Sequence, residues 1–252
     1  MNAVLIIHGY LSSIRDFGTL PDELKPYYDE VIKVSLPGHG DGESLDNFTL
    51  ENMKILLDET LPKLCQKYSK VDVIGFSLGG AVAKYLAQSV SVHKLVLIAP
   101  AIKYLRNPVL TERLDYLFQR TTYVGLLYKD TPFLKMMPKA FIETVRDLYE
   151  HDKTGLQFAI KRAKTKFRPK NGVTFVKVIA YINRKKKPIE CPLLIVWGAL
   201  DELVPYKAVE YCYKKCTNPE KEILVVPGVG HMMLRAKHMG PVKEKVIAFL
   251  QG

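Results

Sequence analysis

Val71-Asp72-Val73-Ile74-Gly75-Phe76-Ser77-Leu78-Gly79-Gly80-Ala81-Val82-Ala83-Lys84 is the stretch from which the rest of the chain is read. Val71 to Phe76 is a short apolar, β-branched run, the mark of a buried strand. Ala81 to Gln88 is helix-forming and rich in small residues. Between them Gly75 to Gly79 spells G-x-S-x-G. A serine in so sharp a strand-to-helix turn takes a strained backbone conformation, and Gly75 and Gly79 keep Cβ atoms away from the neighbouring strand and helix. Ser77 is then expected to project above a sheet. The helix N-terminus behind it turns free N–H groups toward whatever the serine attacks.

Outward from this turn the chain repeats the same grammar. Ala3 to Ile7 is an apolar run ending at His8-Gly9, and Val31 to Ser35 is another, ending at Leu36-Pro37-Gly38-His39-Gly40. Leu50, Met53, Leu57, Leu61, Leu64 and Tyr68 recur at threes and fours, which predicts a helix that Pro62 must bend or restart. Lys94 to Ala99 is a fourth strand. The βαβα alternation implies a parallel sheet. The next strong strand, Leu193 to Trp197, begins about ninety residues later, far beyond the dozen or so a parallel crossover needs. An insert is therefore expected there. It carries many aromatic, leucine and methionine positions between Tyr104 and Phe141, then a basic run, and reads as a mainly helical cap. Alternation resumes with a helix at Tyr206 to Lys215, a strand at Ile223 to Val226, and a last helix opened by Pro241 with Val242, Val246 and Phe249 or Leu250 inward.

A serine hydroxyl is a weak nucleophile at neutral pH and needs a base. His231 follows Val225-Val226-Pro227-Gly228-Val229-Gly230, where a late strand ends in a loop that can fold back over the strand tips. Among the other histidines, His8 and His39 sit in loops with other roles, and His93 precedes a strand at its wrong end. His151 lies in the insert and His238 begins the last helix. The base in turn needs an acid to hold its tautomer. Trp197-Gly198-Ala199-Leu200-Asp201-Glu202-Leu203-Val204-Pro205 supplies Asp201 just past a strand, with Glu202 the neighbouring alternative. Asp201 has a rival role as N-cap of a helix starting near Pro205.

The order Ser77, Asp201, His231, together with His8-Gly9-Tyr10, Leu36 to Gly40, Trp197-Gly198 and Val204-Pro205, resembles the α/β-hydrolases, in particular small bacterial carboxylesterases and monoacylglycerol lipases. The resemblance spans nearly the whole chain. It implies an α/β-hydrolase fold of about six parallel strands flanked by helices, without the leading hairpin of larger members. The core would comprise residues 1–101 and 188–252, and the inserted helical cap residues 102–187, which match the family in position only. It also implies an oxyanion hole made by the backbone N–H groups of Leu78 and Tyr10, on loops shaped by His8 and Gly9. His39 is read as a structural histidine.

The implied reaction is hydrolysis of short to medium acyl esters, monoacylglycerols included, through an acyl-serine, with no metal or organic cofactor. Thioesterase or peptidase activity would use the same triad, and an idle hydrolase fold that only binds a ligand stays open. The serine nucleophile argues against the aspartate-dependent branches of the fold.

Composition narrows the field further. In 252 residues the net charge is +11, and Asp152 to Lys187 holds twelve lysines and arginines against one aspartate, so the remainder is neutral. Such a run is commonly a solvated face; weak contact with anionic lipid or an acidic substrate through 153–187 is the alternative. It lacks the signature of a nucleic-acid-binding fold. No apolar run approaches the roughly 20 residues that span a bilayer. Cys65, Cys191, Cys212 and Cys216 are too few and scattered for a disulfide framework, and with an uncharged amino terminus the reading is cytoplasmic.

Overall fold

The computed structural model of the protein describes residues 1–102, 169–201, 203–231, 233–235 and 239–252. Six of the apolar runs become strands: β1 (Asn2–Ile7), β2 (Glu30–Val34), β3 (Lys70–Phe76), β4 (Lys94–Ile98), β5 (Leu193–Gly198) and β6 (Lys221–Val226). They form one sheet in the order β2-β1-β3-β4-β5-β6, and every pairing is parallel. A strand buried on both faces must be apolar at consecutive positions, because its side chains alternate between the faces. Leu5, Ile7, Val73, Leu95 and Leu97 accordingly pack into one layer, and Val4, Ile6, Ile74, Val96 and Ile98 into the other.

Each layer is closed by helices. On the second face lie α1 (Leu20–Glu23) and, at the far end of the chain, α7 (Met239–Gln251), which buries Val242, Val246 and Leu250. On the first lie α2 (Leu50–Ile55), α3 (Leu61–Cys65), α4 (Leu78–Ala87), α5 (Pro169–Ile182) and α6 (Tyr206–Lys215). Helices on both faces with every strand parallel are the α/β-hydrolase arrangement expected above.

Three local expectations can be followed into the structure. The helix that Pro62 must bend or restart does restart there: a π turn, Leu56–Thr60, joins α2 to α3, whose first turn holds the proline, and the Leu61 N–H reaches back to Leu56 O. Proline cannot donate an N–H and its ring crowds the carbonyl four residues earlier, so one wide turn absorbs both defects. The last helix begins at Met239, two residues before Pro241; a proline is tolerated there because the N–H groups of the first turn have no helical acceptor anyway.

The third concerns the insert. Its aromatic and methionine-rich part, Tyr104 to Phe141, and residues 153–168 of the basic run lie outside the described residues. The described end of it, α5, packs against α4 and α2 and buries Val178, Ile179 and Ile182 in the first-face core. This helix, inside the span 102–187 expected as a helical cap, flanks the sheet on the way from β4 to β5.

The strand registers also fix where a site can form. Ile7 lies opposite Gly75, Phe76 opposite Ile98, Ile98 opposite Val196 and Gly198 opposite Val226. The carboxyl ends of β1, β3, β4, β5 and β6 therefore reach one common edge, the edge at which open parallel sheets bind their ligands.

Candidate active site

At that edge Ser77 caps α4 with φ 53° and ψ −116°, a left-handed conformation that costs a side-chain-bearing residue about 1–3 kcal/mol. Its neighbours hold it there. The Ser77 N–H donates to Ile98 O at 2.9 Å, and Ser77 O accepts from Ala101 N–H at 2.9 Å. The flanking glycines answer to space. A Cβ on Gly75 would stand 2.3 Å from Gly79 O, and one on Gly79 would stand 2.1 Å from Ile7 O. With those atoms absent, helix α4 can begin directly against β1 and the serine is lifted clear of the sheet.

The loops after β5 and β6 deliver the other two groups. His231 Nε2 lies 3.0 Å from Ser77 Oγ. His231 Nδ1 lies 3.0 Å from Asp201 Oδ2 and 3.2 Å from Oδ1. All three residues are at least nine-tenths buried, and the Phe76 ring lies 5.3 Å from the imidazole, centroid to centroid. Asp201 Oδ1 also accepts the backbone N–H groups of Leu203 (2.9 Å) and Val204 (2.8 Å). Three donors, the Leu203 and Val204 N–H groups and the His231 ring, thus converge on this one buried side chain. Helix α6 starts at Tyr206 with Pro205 at its N-cap, so the competing role of Asp201 as helix cap is not what is found; its oxygen closes the turn before that helix instead. The Trp197 indole N–H donates to Val204 O at 2.8 Å and braces the same turn.

The loop after β1 faces Ser77. A Cβ on Gly9 would lie 3.0 Å from Ser77 Cβ, so a side chain there would press the two elements apart. Leu78, the first residue of α4, has a backbone N–H with no helical acceptor. Two histidines anchor this loop. His8 Nε2 accepts from Leu36 N–H at 3.2 Å, and its Nδ1 lies 2.8 Å from Gly9 O. His39 Nε2 accepts from Leu11 N–H at 3.0 Å, and its Nδ1 lies 2.9 Å from Pro37 O. The structural reading of His39 holds in this geometry. Each ring must carry its proton on Nδ1, because Nε2 is used as an acceptor.

The structure thus gathers Ser77, Asp201, His231, His8, Gly9, Tyr10, Gly75, Leu78 and Gly79 at one end of the sheet. His93 is at the opposite end, where its Nδ1 lies 2.8 Å from Asp72 Oδ1. Glu202, His151 and His238 are outside the described residues. Phe175 of α5 was missed from sequence: its ring lies 5.0 Å from that of Tyr10, and it also packs on Ala101, Val204 and Ala208. It sits inside a stretch dominated by charge, and nothing local marks it.

A family model described as "Serine aminopeptidase, S33", an α/β-hydrolase family, matches residues 1–237. The chain belongs to this family. As an α/β-hydrolase it is 27% identical over 242 residues to a Mycoplasma genitalium protein provisionally named esterase/lipase 2, an alignment covering 91% of this chain and 82% of that one. Among solved structures it superposes on an esterase from Exiguobacterium antarcticum with a TM-score of 0.68 at 18% identity, covering 100% of this chain and 92% of that one. A monoacylglycerol lipase from Paleococcus ferrophilus gives a TM-score of 0.64 at 18% identity, with 98% and 93% covered. At such identities the two structures share this hydrolase's fold.

Proposed function

We propose that the protein is a serine esterase that cleaves carboxylic esters of short to medium acyl chains, monoacylglycerols among them, with Ser77, His231 and Asp201 as its catalytic residues. The observation that carries this reading is the relay from Ser77 Oγ through His231 to Asp201, with contacts of 3.0 Å at each step. His231 Nε2 takes the Ser77 proton as Oγ adds to the ester carbonyl. The backbone N–H groups of Leu78 and Tyr10 receive the oxyanion, fixed donors that need no reorganisation as charge develops. The imidazolium, stabilised by Asp201, returns its proton to the leaving alcohol. Water activated by His231 then releases the acid from the acyl-serine.

Hydrolysis of p-nitrophenyl esters of increasing acyl length, with Ser77→Ala beside the wild type, tests the reading. Activity confined to short and medium chains and lowered by roughly 10⁴-fold or more in the variant is the expected result. Near-normal turnover in Ser77→Ala would overturn it. A second reading, peptide hydrolysis, is favoured by the description of the matching family, and aminoacyl p-nitroanilides in the same assay separate it from the first.

The basic run is proposed to make at most a weak, salt-sensitive contact with anionic lipid. Several of its described cations are already engaged within the chain: Lys170 pairs with Asp46 at 2.6 Å, Lys185 lies 4.2 Å from the centre of the Tyr85 ring, and Lys186 donates to Asn183 O at 2.8 Å. Among the described residues no helix is long and apolar enough to cross a membrane. Residence in the cytoplasm is part of the proposal, in keeping with Cys65, Cys191, Cys212 and Cys216 as free thiols.

A further inference from the structure

We infer that Phe175 is the specificity-determining residue that limits the length of acyl chain accepted beside Ser77. The inference deepens the ester-hydrolase reading and rests on it. It starts from position. Phe175 comes from α5, outside the elbow, acid and base loops, yet its ring meets the rims of the site on two sides. On one side it lies 5.0 Å from the Tyr10 ring at 41°, against the loop whose backbone faces the nucleophile. On the other it packs on Ala101 and Val204. Ala101 is one hydrogen bond from the nucleophile through Ser77 O, and Val204 N–H donates to the triad carboxylate.

Burial separates Phe175 from the aromatic rings on the far side of Tyr10. Tyr10 also stacks on Phe48 at 5.0 Å, and Phe48 meets His39 at 5.4 Å; Phe48 and His39 are both 2% exposed and locked into the core. Phe175 is only half-buried, so the ring keeps an edge that no core atom covers. The flanking residues of the same helix, Val173 and Val176, are apolar and 55% and 47% exposed. On this inference the apolar ring, which bridges the Tyr10 side chain and the cluster of Ala101, Val204 and Ala208, borders the space that an acyl chain leaving Ser77 would enter. Apolar pocket walls of this kind discriminate by size, since each methylene that finds apolar room gains about fourfold in binding.

The experiment measures two series on the full-length wild type and on Phe175→Ala, Phe175→Leu and Phe175→Trp, each confirmed folded by its thermal transition. The first is kcat/KM for p-nitrophenyl esters of four, six, eight and ten carbons. The second is the rate at which p-nitrophenyl alkylphosphonates of the same lengths modify Ser77, followed by intact mass, which reads the pocket whatever bond the enzyme naturally cleaves. The ten-to-four carbon ratio should rise roughly 10–100-fold in Phe175→Ala, less in Phe175→Leu, and fall in Phe175→Trp. Ratios that stay at the wild-type value in all three variants overturn the inference while leaving the esterase reading intact. A uniform drop at every length also overturns it, because it would make Phe175 a support for the Tyr10 loop and not a gauge of length. Phosphonate ratios that shift in an enzyme with no ester hydrolysis uphold the inference and overturn the esterase reading. Absence of both hydrolysis and labelling overturns both.

Discussion

Replacing Lys84 by methionine should stabilise the protein, and the gain should vanish at high pH. Lys84 lies in the middle of α4, fully buried, with no hydrogen-bond partner for its Nζ among the described residues. Burial pushes its amine down from 10.5 to about 8, and the charges of Lys186 and Lys215 act in the same direction. In the unfolded chain the amine titrates near 10.5. Below pH 8 both states are charged, and the folded state bears the whole cost of the buried ammonium. That fall corresponds to about 3 kcal/mol, at about 1.4 kcal/mol for each tenfold change in acidity. Between pH 8 and 10.5 the folded state releases its proton while the unfolded state keeps it, so stability rises with pH across that window. Cys212, pushed up to about 12, stays neutral throughout. Methionine has nearly the same length and flexibility and no charge to desolvate. Lys84→Met is therefore expected to be more stable by about 3 kcal/mol at pH 7, raising Tm by about 6–12 °C, and to equal the wild type near pH 10.5. Urea unfolding followed by fluorescence of Trp197, the lone tryptophan, at unit steps from pH 6 to 10 measures this. A variant less stable than wild type at pH 7, or a difference that does not change with pH, would refute the reasoning. Hydrolytic activity should be unaffected, since Lys84 lies two helical turns, about 10 Å, beyond the nucleophile.

Three further outcomes follow from the geometry. Asp201→Asn places an amide where the carboxylate accepts Leu203, Val204 and His231 donors, which favours the wrong imidazole tautomer; kcat should fall about 10⁴-fold with little change in Tm, read by ester hydrolysis and thermal unfolding. Gly79→Ala puts a Cβ 2.1 Å from Ile7 O and 2.5 Å from His8 O, so α4 must move away from β1; a loss of about 3 kcal/mol in urea unfolding is expected. The four cysteines are all buried, with Cys65 pushed up to about 11 and Cys191 to about 12, so an aromatic disulfide reagent at pH 8 should modify none of them until denaturant is added, and then all four.

Much of this architecture is legible in the sequence because each decisive signal is local. Six apolar runs, five of them ending in glycine-bearing loops, give six parallel strands, and the glycines at 75 and 79 announce a close approach that the structure puts at Gly79 O and Ile7 O. Asp201 and His231 are found because a chain that leaves a parallel strand at its carboxyl end arrives at the same edge as Ser77. The less legible features depend on what lies across a gap in sequence. Helix α5 hides inside a basic run since its buried side needs only Val178, Ile179 and Ile182, while Lys170 and Lys177 stand on the rest. The π turn before Pro62 is a compromise between two backbone constraints, and no residue type encodes it. Phe175 acquires meaning only from its contacts with Tyr10, Ala101 and Val204.

The histidines show the same division and sharpen the choice of base. His8, His39 and His231 all stand at the carboxyl edge of the sheet, all are at most 5% exposed, and all place Nδ1 within 3.2 Å of an oxygen. Residue type and burial do not tell them apart. What differs is the partner of Nε2. In His8 and His39 its lone pair is occupied by a backbone N–H, from Leu36 and Leu11. An amide proton is not transferable at neutral pH, and protonating either ring would set two N–H groups against each other and loosen the loop that carries Tyr10. In His231 the same lone pair meets a hydroxyl, Ser77 Oγ, whose proton can move. Its Nδ1 also meets the Asp201 carboxylate, a countercharge for the imidazolium, where those of His8 and His39 lie beside the carbonyls of Gly9 and Pro37. On the proposed mechanism the loop histidines hold the oxyanion donors still by remaining neutral, and His231 works by becoming charged and returning.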